Sequence, residues 1–272
     1  MRIEDVDLPR AQRGADDAIL TTLERYGFTW DGPVVRQAAR TDLYAAAVER
    51  LRAIGEIYEC ACSRRELETA ATGPGGERVY PGTCRDGIPV NLRGRKQRAL
   101  RVKVGEARVE FRDRLQGARS QDLRRDVGDF VVRRADGLYA YQLAVVVDDA
   151  LQGVTHVVRG ADLLASTPRQ LYLQRCLGYP ALSYLHVPVA IMASGEKLSK
   201  QTGAPPLPDD PGPALVAAWR FLGQDCPDAD SAPVRASDFW AWALRRWNPA
   251  RLPPVAMLPA PRRVSAEGSG KV

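Results

Sequence analysis

Apolar side chains recur with the period of an amphipathic helix in four parts of the chain. These are residues 14–26, 41–55, 214–222 and 237–247. Three of them carry clear stripes: Ile19, Leu20 and Leu23 in the first, Leu43, Ala47, Leu51 and Ile54 in the second, and Trp240, Leu244 and Trp247 in the fourth. We expect the stripes to face a core, and we expect glycines at positions 27 and 55 to end the first two helices.

Capping residues predict two further helices. Thr167-Pro168 combines a cap with a proline in the first turn, and it predicts a helix that runs to Leu177. Ser63 and Glu66 have the spacing of a capping box, which predicts a short helix to about residue 71.

Short runs with strand character alternate with these helices. They are residues 57–60, 100–104, 108–113, 129–134, 155–160 and 187–192. We expect the fifth of them, THVVRG, to be a buried strand. Residues 72–98 are rich in Gly, Pro and Arg and predict a loop, whereas 138–151 fits a helix or a strand by pattern alone.

Strands that alternate with helices predict an α/β protein with a parallel, Rossmann-like sheet. The meander over 100–134 interrupts that order and indicates an insertion. The tail from about residue 259 is small, polar and basic, so we expect it to be disordered.

Composition argues against a membrane protein. Hydrophobic residues make up 45% and charged residues 26% of the chain, and no apolar run reaches the ~20 residues that span a bilayer. The start lacks a signal peptide, so we expect a cytoplasmic protein without a membrane partner. The net charge of +6 favours RNA as a partner, but a general preference for Arg over Lys explains it equally well. The basic stretch 93–101 is a candidate RNA surface, with a solvated loop as an equal alternative.

Three of the five cysteines are clustered, as Cys60, Cys62 and Cys84. An odd number of cysteines in a chain expected to be cytoplasmic argues against a disulfide framework. Thiolates suit Zn²⁺, and structural zinc sites have four ligands, so spacing alone leaves the fourth ligand open. Three free thiols are the alternative.

Charged residues follow several predicted strands. KLSKQ (197–201) comes after a strand and a Gly-rich turn, and two ammonium groups beside a hydroxyl suit a phosphate ligand. The pentapeptide alone favours a solvated loop, and only its position favours the phosphate. Glu4, in RIED (2–5), and Arg159 lie at strand ends, where ligands bind in α/β sheets. A guanidinium that leaves a buried strand needs an anionic partner such as a carboxylate.

Four segments together resemble the catalytic core of glutamate-specific class I aminoacyl-tRNA synthetases: RIED, LYAYQLAVVVDD (138–149), VVRGADLL (157–164) and KLSKQ. Gln201 and the Cys-x-Cys … YPGTC spacing resemble the glutamyl-queuosine tRNA(Asp) subgroup. The resemblance runs from Arg2 to about Leu222. It implies a Rossmann-like catalytic core over 1–59 and 127–192, a zinc-bearing insertion over 60–126, the KLSKQ loop with a short helical region over 193–258, and the tail 259–272.

The resemblance also assigns roles to single residues. Lys200 and Lys197 are the catalytic contacts to the pyrophosphate of ATP, with Ser199 in the same loop. The glutamate substrate is bound by Glu4, Tyr141 and Arg159. One structural Zn²⁺ is held by Cys60, Cys62, Tyr80 and Cys84. Judged without the family, Glu4 is a surface charge and Tyr141 is equally well a core residue. Arg2 and Asp5 are interpreted as structural ion-pair residues, and Asp148, Asp149 and Asp162 as stabilising loops and helix ends. The two histidines, His156 and His186, are also interpreted as structural.

The implied activity is the activation of glutamate by ATP and Mg²⁺, as glutamyl-adenylate, and its transfer to queuosine in the anticodon loop of tRNA(Asp). The expected partners are therefore glutamate, ATP and tRNA(Asp) bearing queuosine, and we expect a monomer. The alternatives are a shortened glutamyl-tRNA synthetase that charges the 3′ end and an inactive paralogue that only binds tRNA.

In the resembled family a first strand, a HIGH-type ATP loop and a helix precede RIED. Here RIED begins at residue 2, so we expect Met1 to be a mis-assigned start. Helix N-terminal amides are a principal anion site, and a bared strand edge promotes association. We therefore predict that residues 1–272 are inactive or severely impaired in adenylation and aggregate readily.

Overall fold

The structure is a computed structural model that describes residues 1–7, 9, 12, 14–106, 108–199, 206–226 and 235–261. Its helices are α1 (Ala15–Arg25), α2 (Thr41–Ala53), α3 (Leu123–Asp126), α4 (Tyr141–Leu151), α5 (Thr167–Leu177), α6 (Pro211–Phe221) and α7 (Ala236–Arg246). Its strands are β1 (Arg2–Ile3), β2 (Val35–Arg36), β3 (Ile57–Cys60), β4 (Ala99–Val102), β5 (Arg108–Asp113), β6 (Gly117–Asp122), β7 (Phe130–Arg133), β8 (His156–Gly160), β9 (Ser183–Val187), β10 (Val189–Ile191) and β11 (Met257–Pro259).

The chain divides into two compact units. The first unit comprises Met1–Gln12, Gly32–Val157 and Leu163–Tyr184, and the second comprises Arg13–Asp31, Val158–Asp162 and Leu185–Val272. The predicted tail lies outside the described residues from position 262 onward. Within the described residues, no helix is both long enough and apolar enough to cross a lipid bilayer.

In the first unit, β1 and β2 pair in parallel, and β4 lies between β3 and β7 in an antiparallel sheet. β5 and β6 form an antiparallel hairpin. The antiparallel strands fall largely in the stretch that the sequence marked as an insertion. Helices and strands therefore mix as predicted for an α/β protein.

The core of the first unit lies among α2, α4, α5 and the sheet. Helix α2 buries Tyr44, Ala47, Val48 and Leu51, and each fully buried Leu contributes roughly 1.5–3 kcal/mol. The predicted stripe is partly wrong, because Leu43 is 37% and Ile54 is 56% exposed. The buried set has the i, i+3, i+4, i+7 spacing of a helix face that begins one residue later.

The ambiguous run 138–151 contains helix α4, which buries all of Leu143 to Asp149. A helix that is buried all round has no amphipathic period, which is why the pattern alone did not decide between helix and strand. The expected burial of β8 is wrong, because Val158 is 66% exposed. The predicted capping box is confirmed, since Ser63 and Glu66 bond reciprocally, but it opens only a 3₁₀ turn, Arg65–Leu67.

The second unit has its own core, built by α6, α7 and Tyr26, which follows α1. The buried members of this core are Tyr26, Leu215, Trp219, Phe239 and Ala243. No residue of α1 is fully buried, and its predicted stripe is wrong for Ile19, which is 46% exposed. The predicted stripe of α7 is wrong for Leu244 and Trp247, which are 75% and 43% exposed, because α7 turns Phe239 and Ala243 inward instead. Strands β10 and β11 pair in parallel in this unit.

Candidate active site and metal centre

Three thiols and one phenol converge in the first unit. The sulfur atoms of Cys60, Cys62 and Cys84 all lie within 4.8 Å of one another, and Cys62 Sγ lies 3.6 Å from Cys84 Sγ. Tetrahedral zinc with Zn–S bonds of about 2.3 Å places its sulfurs roughly 3.8 Å apart. The Tyr80 hydroxyl lies 3.3 Å from Cys60 Sγ and 3.7 Å from Cys62 Sγ. The donor set and its spacing therefore fit a zinc ion.

The strand end and the loops beside it build this cluster. Cys60 is the last residue of β3, and Cys62 lies just before the Ser63–Glu66 cap. Arg95 binds both carboxylate oxygens of Glu66, at 2.6 and 2.9 Å, and donates to the Ala61 carbonyl at 2.8 Å. These bonds hold the loop that carries Cys62.

Gly128 brings Tyr80 into the cluster. Its φ is +70°, and a Cβ added there would lie 2.4 Å from the Tyr80 carbonyl oxygen. An L side chain meets both a strained backbone and a steric clash at this position. Only glycine therefore lets the segment before β7 pass so close to Tyr80.

Arg101 and Tyr80 set the electrostatics of the thiols. The Arg101 guanidinium is buried and lies 3.7 Å from the centroid of the Tyr80 ring. Burial by itself raises the pKa of the Cys60 thiol, but hydrogen bonds from Tyr80 and Arg101 outweigh it, so the net pKa is lowered. Burial, with the neighbouring Cys60, raises the pKa of Cys62 to about 12. A divalent cation among the sulfurs would stabilise all three as thiolates.

Tyr80 is the predicted ligand with the least favourable charge state. Burial, and then the hydrogen bond with Cys60, raises the pKa of Tyr80 above its ordinary value. Its hydroxyl also accepts a hydrogen bond from the Cys84 amide at 2.9 Å. The phenol is positioned as a fourth ligand, but its raised pKa opposes the loss of its proton.

The KLSKQ segment begins on the return side of a tight hairpin in the second unit. After β10, the Met192 amide donates to the Glu196 carbonyl at 2.8 Å, and the Leu198 amide donates to the Ala190 carbonyl at 2.8 Å. Gly195 supplies the left-handed residue of the turn, with φ of +84°. Lys197 Nζ pairs with the Asp162 carboxylate. Lys200 lies outside the described residues, whereas Ser199 lies within them.

Arg159 lies in β8 of the second unit, beside a histidine. Its Nε donates to His186 Nε2 at 3.0 Å, and His186 is fully buried. Because Nε2 accepts, His186 carries its proton on Nδ1. At the next residue, a Cβ on Gly160 would lie 2.4 Å from an Asp162 oxygen and 2.9 Å from Val189. The interpretation of His186 as structural agrees with this contact, but the sequence did not link it to Arg159.

Glu4 and Tyr141 lie in the first unit. Glu4 follows β1 and accepts a bond from Arg2 at 3.0 Å. Arg2 also pairs with Asp149 at 2.7 Å, which agrees with its interpretation as a structural ion-pair residue. Tyr141 is the first residue of α4 and is packed, partly buried, against the core.

The sequence missed the role of Asp148. It is fully buried within α4 and accepts bonds from Gln37 at 2.8 Å, Arg40 at 2.7 Å and Tyr44 at 2.7 Å. It therefore ties α4 to α2 instead of stabilising a helix end. The signal was present, since a carboxylate inside the apolar run LAVVVDDAL must find buried donors.

Comparison with known proteins agrees with this architecture. Residues 1–205 match the family model of the catalytic domain of class I tRNA synthetases (E and Q). The chain is 55% identical to the glutamyl-Q tRNA(Asp) synthetase of Dechloromonas aromatica, over 96% of this chain and 86% of that protein. It is 51% identical to the enzyme of that name from Pseudomonas aeruginosa PAO1, again over 96% and 86%.

The chain thus belongs to the class I tRNA synthetase family, among the glutamyl-Q tRNA(Asp) synthetases. The predicted family, and with it the prediction of an aminoacyl-tRNA synthetase-like ligase, is confirmed. Among solved structures, a glutamate tRNA ligase from Elizabethkingia meningosepticum matches with a TM-score of 0.73 and 21% identity. The match covers 95% of this chain and 60% of that ligase, and at this identity it shows the fold alone.

Proposed function

We propose that this protein activates glutamate with ATP and transfers the glutamyl group to queuosine in the anticodon loop of tRNA(Asp). The observation that carries the proposal is the identity of 49–55% to relatives named glutamyl-Q tRNA(Asp) synthetase, over 96% of this chain. Class I catalytic domains use ATP, which supports the first step.

In the first step, the α-carboxylate of glutamate attacks the α-phosphorus of ATP, and Mg²⁺-bound pyrophosphate leaves. Negative charge grows on the phosphate oxygens, and preorganised ammonium groups stabilise it. Lys197 and Lys200 supply these groups, with Ser199 in the same loop. The Asp162 carboxylate holds the Lys197 ammonium in place until the phosphates arrive.

Three residues position glutamate for that attack. Glu4 binds the α-ammonium, Tyr141 hydrogen-bonds the amino acid, and Arg159 binds the side-chain carboxylate. The bond from Arg159 Nε to His186 orients the guanidinium, whose planar geometry suits a carboxylate.

In the second step, a hydroxyl of the queuosine cyclopentene ring attacks the carbonyl carbon of glutamyl-adenylate. The C–O bond to AMP breaks, AMP leaves, and the hydroxyl proton is lost to solvent. An ester of glutamate on queuosine results.

One structural Zn²⁺, held by Cys60, Cys62, Tyr80 and Cys84, belongs to the same proposal. The fit of the sulfur spacing to tetrahedral zinc supports it. The ion would link the end of β3 to the loops that carry Tyr80 and Cys84.

The test of the first step is glutamate-dependent ATP–pyrophosphate exchange without tRNA. It is measured on residues 1–272 and on a form extended upstream of Met1. We expect exchange in at least one form. No exchange in either form, together with intact tRNA binding, would contradict the proposal and favour the inactive paralogue.

The test of the second step is the transfer of labelled glutamate to tRNA(Asp) with and without queuosine. We expect labelled product only on the queuosine-bearing tRNA. Equal labelling of tRNA that lacks queuosine would favour a glutamyl-tRNA synthetase that charges the 3′ end.

A further inference from the structure

A cleft of about 180 Å³ lies between the β5–β6 hairpin and the second half of α5, within the first unit. Leu171, Gln174 and Arg175 face it from one side of α5, at the i, i+3, i+4 spacing of a helix face. The Arg114 amide donates to the Tyr184 carbonyl at 2.9 Å, which anchors the hairpin beside this helix. None of these residues belongs to the thiol cluster or to the KLSKQ loop.

Aromatic and aliphatic side chains form the interior of the cleft. Phe111 and Tyr184 meet edge to face, with ring centroids 6.4 Å apart, and Tyr179 and Leu182 complete the wall. Gln174 is buried and donates to the Tyr184 hydroxyl at 3.1 Å, which fixes the base of the cleft.

Two exposed arginines, Arg112 and Arg175, border the cleft. Neither forms a salt bridge within the part of the chain that the structure describes. Glu110 also lines the cleft and lies on the same face of β5 as Arg112. Its carboxylate can accept a hydrogen bond from a ribose hydroxyl or a base amine.

The surroundings of the cleft are basic as well. Residues 108–125 contain six arginines and three carboxylates. Two of these carboxylates bond to backbone amides, since Asp113 binds the amides of the hairpin turn and Asp122 caps α3. Arg124 pairs with Glu106 and Arg125 with Asp126, and the other four arginines are exposed: Arg108, Arg112, Arg114 and Arg119.

In the stretch 93–101, which the sequence predicts as a candidate RNA surface, several guanidinium groups are bonded within the protein. Arg95 binds Glu66, Arg98 donates to the Arg93 and Arg95 carbonyls, and Arg101 is buried. These guanidinium groups hold the loop beside the thiol cluster, but Arg93, Arg95 and Lys96 are exposed, so the stretch stays a second candidate RNA surface.

We propose that the cleft between β5 and α5 binds an unstacked nucleotide of the tRNA substrate. The base stacks on the partly exposed rings of Phe111 and Tyr179, since Tyr184 is only 3% exposed, and Arg112 and Arg175 bind the flanking phosphates. A basic groove with aromatic faces is the arrangement that holds single-stranded nucleic acid, and base stacking contributes about 1–3 kcal/mol per base. The inference rests on the proposed function for the identity of the RNA.

The test is the affinity of the full chain for unmodified tRNA(Asp) as a function of salt. The variant Arg112→Glu/Arg175→Glu is compared with its two single variants and with Arg108→Glu, which matches each single variant in charge change and lies on the same face of β5 outside the cleft. We expect the double variant to lose about ten-fold or more in affinity, with a salt slope reduced by about 2. The control is expected to stay within about two-fold of the wild type. Circular dichroism checks that each variant is folded, and ATP–pyrophosphate exchange is measured in parallel.

A second arm competes bound tRNA with a single-stranded RNA oligonucleotide, an RNA duplex of equal charge and free AMP. Better competition by the single strand supports the inference, and better competition by the duplex or by AMP overturns it. Equal tRNA affinity of the double variant and the Arg108→Glu control overturns it too, while leaving the proposed function intact. A wild-type chain that neither exchanges pyrophosphate nor binds tRNA overturns both.

Discussion

At Asp148 a single carboxylate accepts three hydrogen bonds in the interior of the first unit, from the side chains of Gln37, Arg40 and Tyr44. Each donor comes from α2 or from the turn before it, so the residue decides how α4 packs on α2. At Arg159 a buried histidine plays the corresponding orienting role for a guanidinium. In both cases the conformation of a charged side chain is fixed by partners that lie far away in sequence.

Replacing Asp148 by Ala is expected to lower the free energy of unfolding by about 3 kcal/mol. The loss arises because the Tyr44 hydroxyl and the Gln37 amide stay buried without their acceptor. Chemical denaturation measures it. Glu49→Ala is the control, since Glu49 is 63% exposed in its pair with Arg52, and a surface pair of this kind changes stability by less than about 1 kcal/mol. Equal losses in the two variants would contradict a special role for Asp148.

Arg159→Lys is expected to raise the KM for glutamate roughly 10- to 100-fold, because an ammonium group replaces a planar two-point contact. The KM for ATP should stay unchanged, and steady-state pyrophosphate exchange gives both values. A rise in the KM for ATP with none for glutamate would show that Arg159 does not bind the amino acid.

At the scale of elements, short segments are positioned by close approaches of backbone. The capping box of Ser63 and Glu66 opens only one 3₁₀ turn, and the Arg95–Glu66 pair then fastens that turn beside Cys62. Gly128 permits the contact between the segment before β7 and Tyr80. The thiol cluster therefore depends on glycine geometry as well as on its own ligands.

Gly128→Ala tests that dependence against Gly117→Ala. Both glycines have positive φ, +70° and +77°, but a Cβ at Gly117 meets nothing within 4 Å. The backbone strain of about 1 kcal/mol is common to both variants, so any further loss of stability at Gly128 reports the clash with Tyr80. We expect an additional loss of about 1–3 kcal/mol and weaker metal retention in Gly128→Ala only. Identical thermal shifts in the two variants would refute the close approach.

At the scale of the whole molecule, the two compact units have separate hydrophobic cores. The thiol cluster, Glu4 and Tyr141 belong to the first unit, and Arg159, Lys197 and Ser199 belong to the second. The predicted domain boundaries differ from this division, since the second unit also takes α1 and residues 158–162. The predicted boundaries of the catalytic core and of the insertion stay proposals.

Metal content is expected to be one zinc per chain by elemental analysis, with none retained by Cys60→Ala or Cys84→Ala. Chelation should lower the melting temperature, because binding free energy of the metal is also folding free energy. The control is Cys176→Ala, whose half-buried thiol lies outside the cluster and should keep full zinc. Two results together would contradict the metal site: purified wild-type protein that contains no zinc, and a melting temperature that a chelator does not change.

The sequence by itself determined the α/β class, most helix and strand positions, the family and the membership of the thiol cluster. These depend on local periodicity, caps and short motifs, which a linear pattern carries. The tertiary structure alone decided which face of α2 is buried, that 138–151 contains a helix, and which donors reach Asp148. It also decided that Arg112 and Arg175 border one cleft. Those outcomes depend on contacts between residues up to about a hundred positions apart, such as Gln37 and Asp148, and no local pattern encodes them.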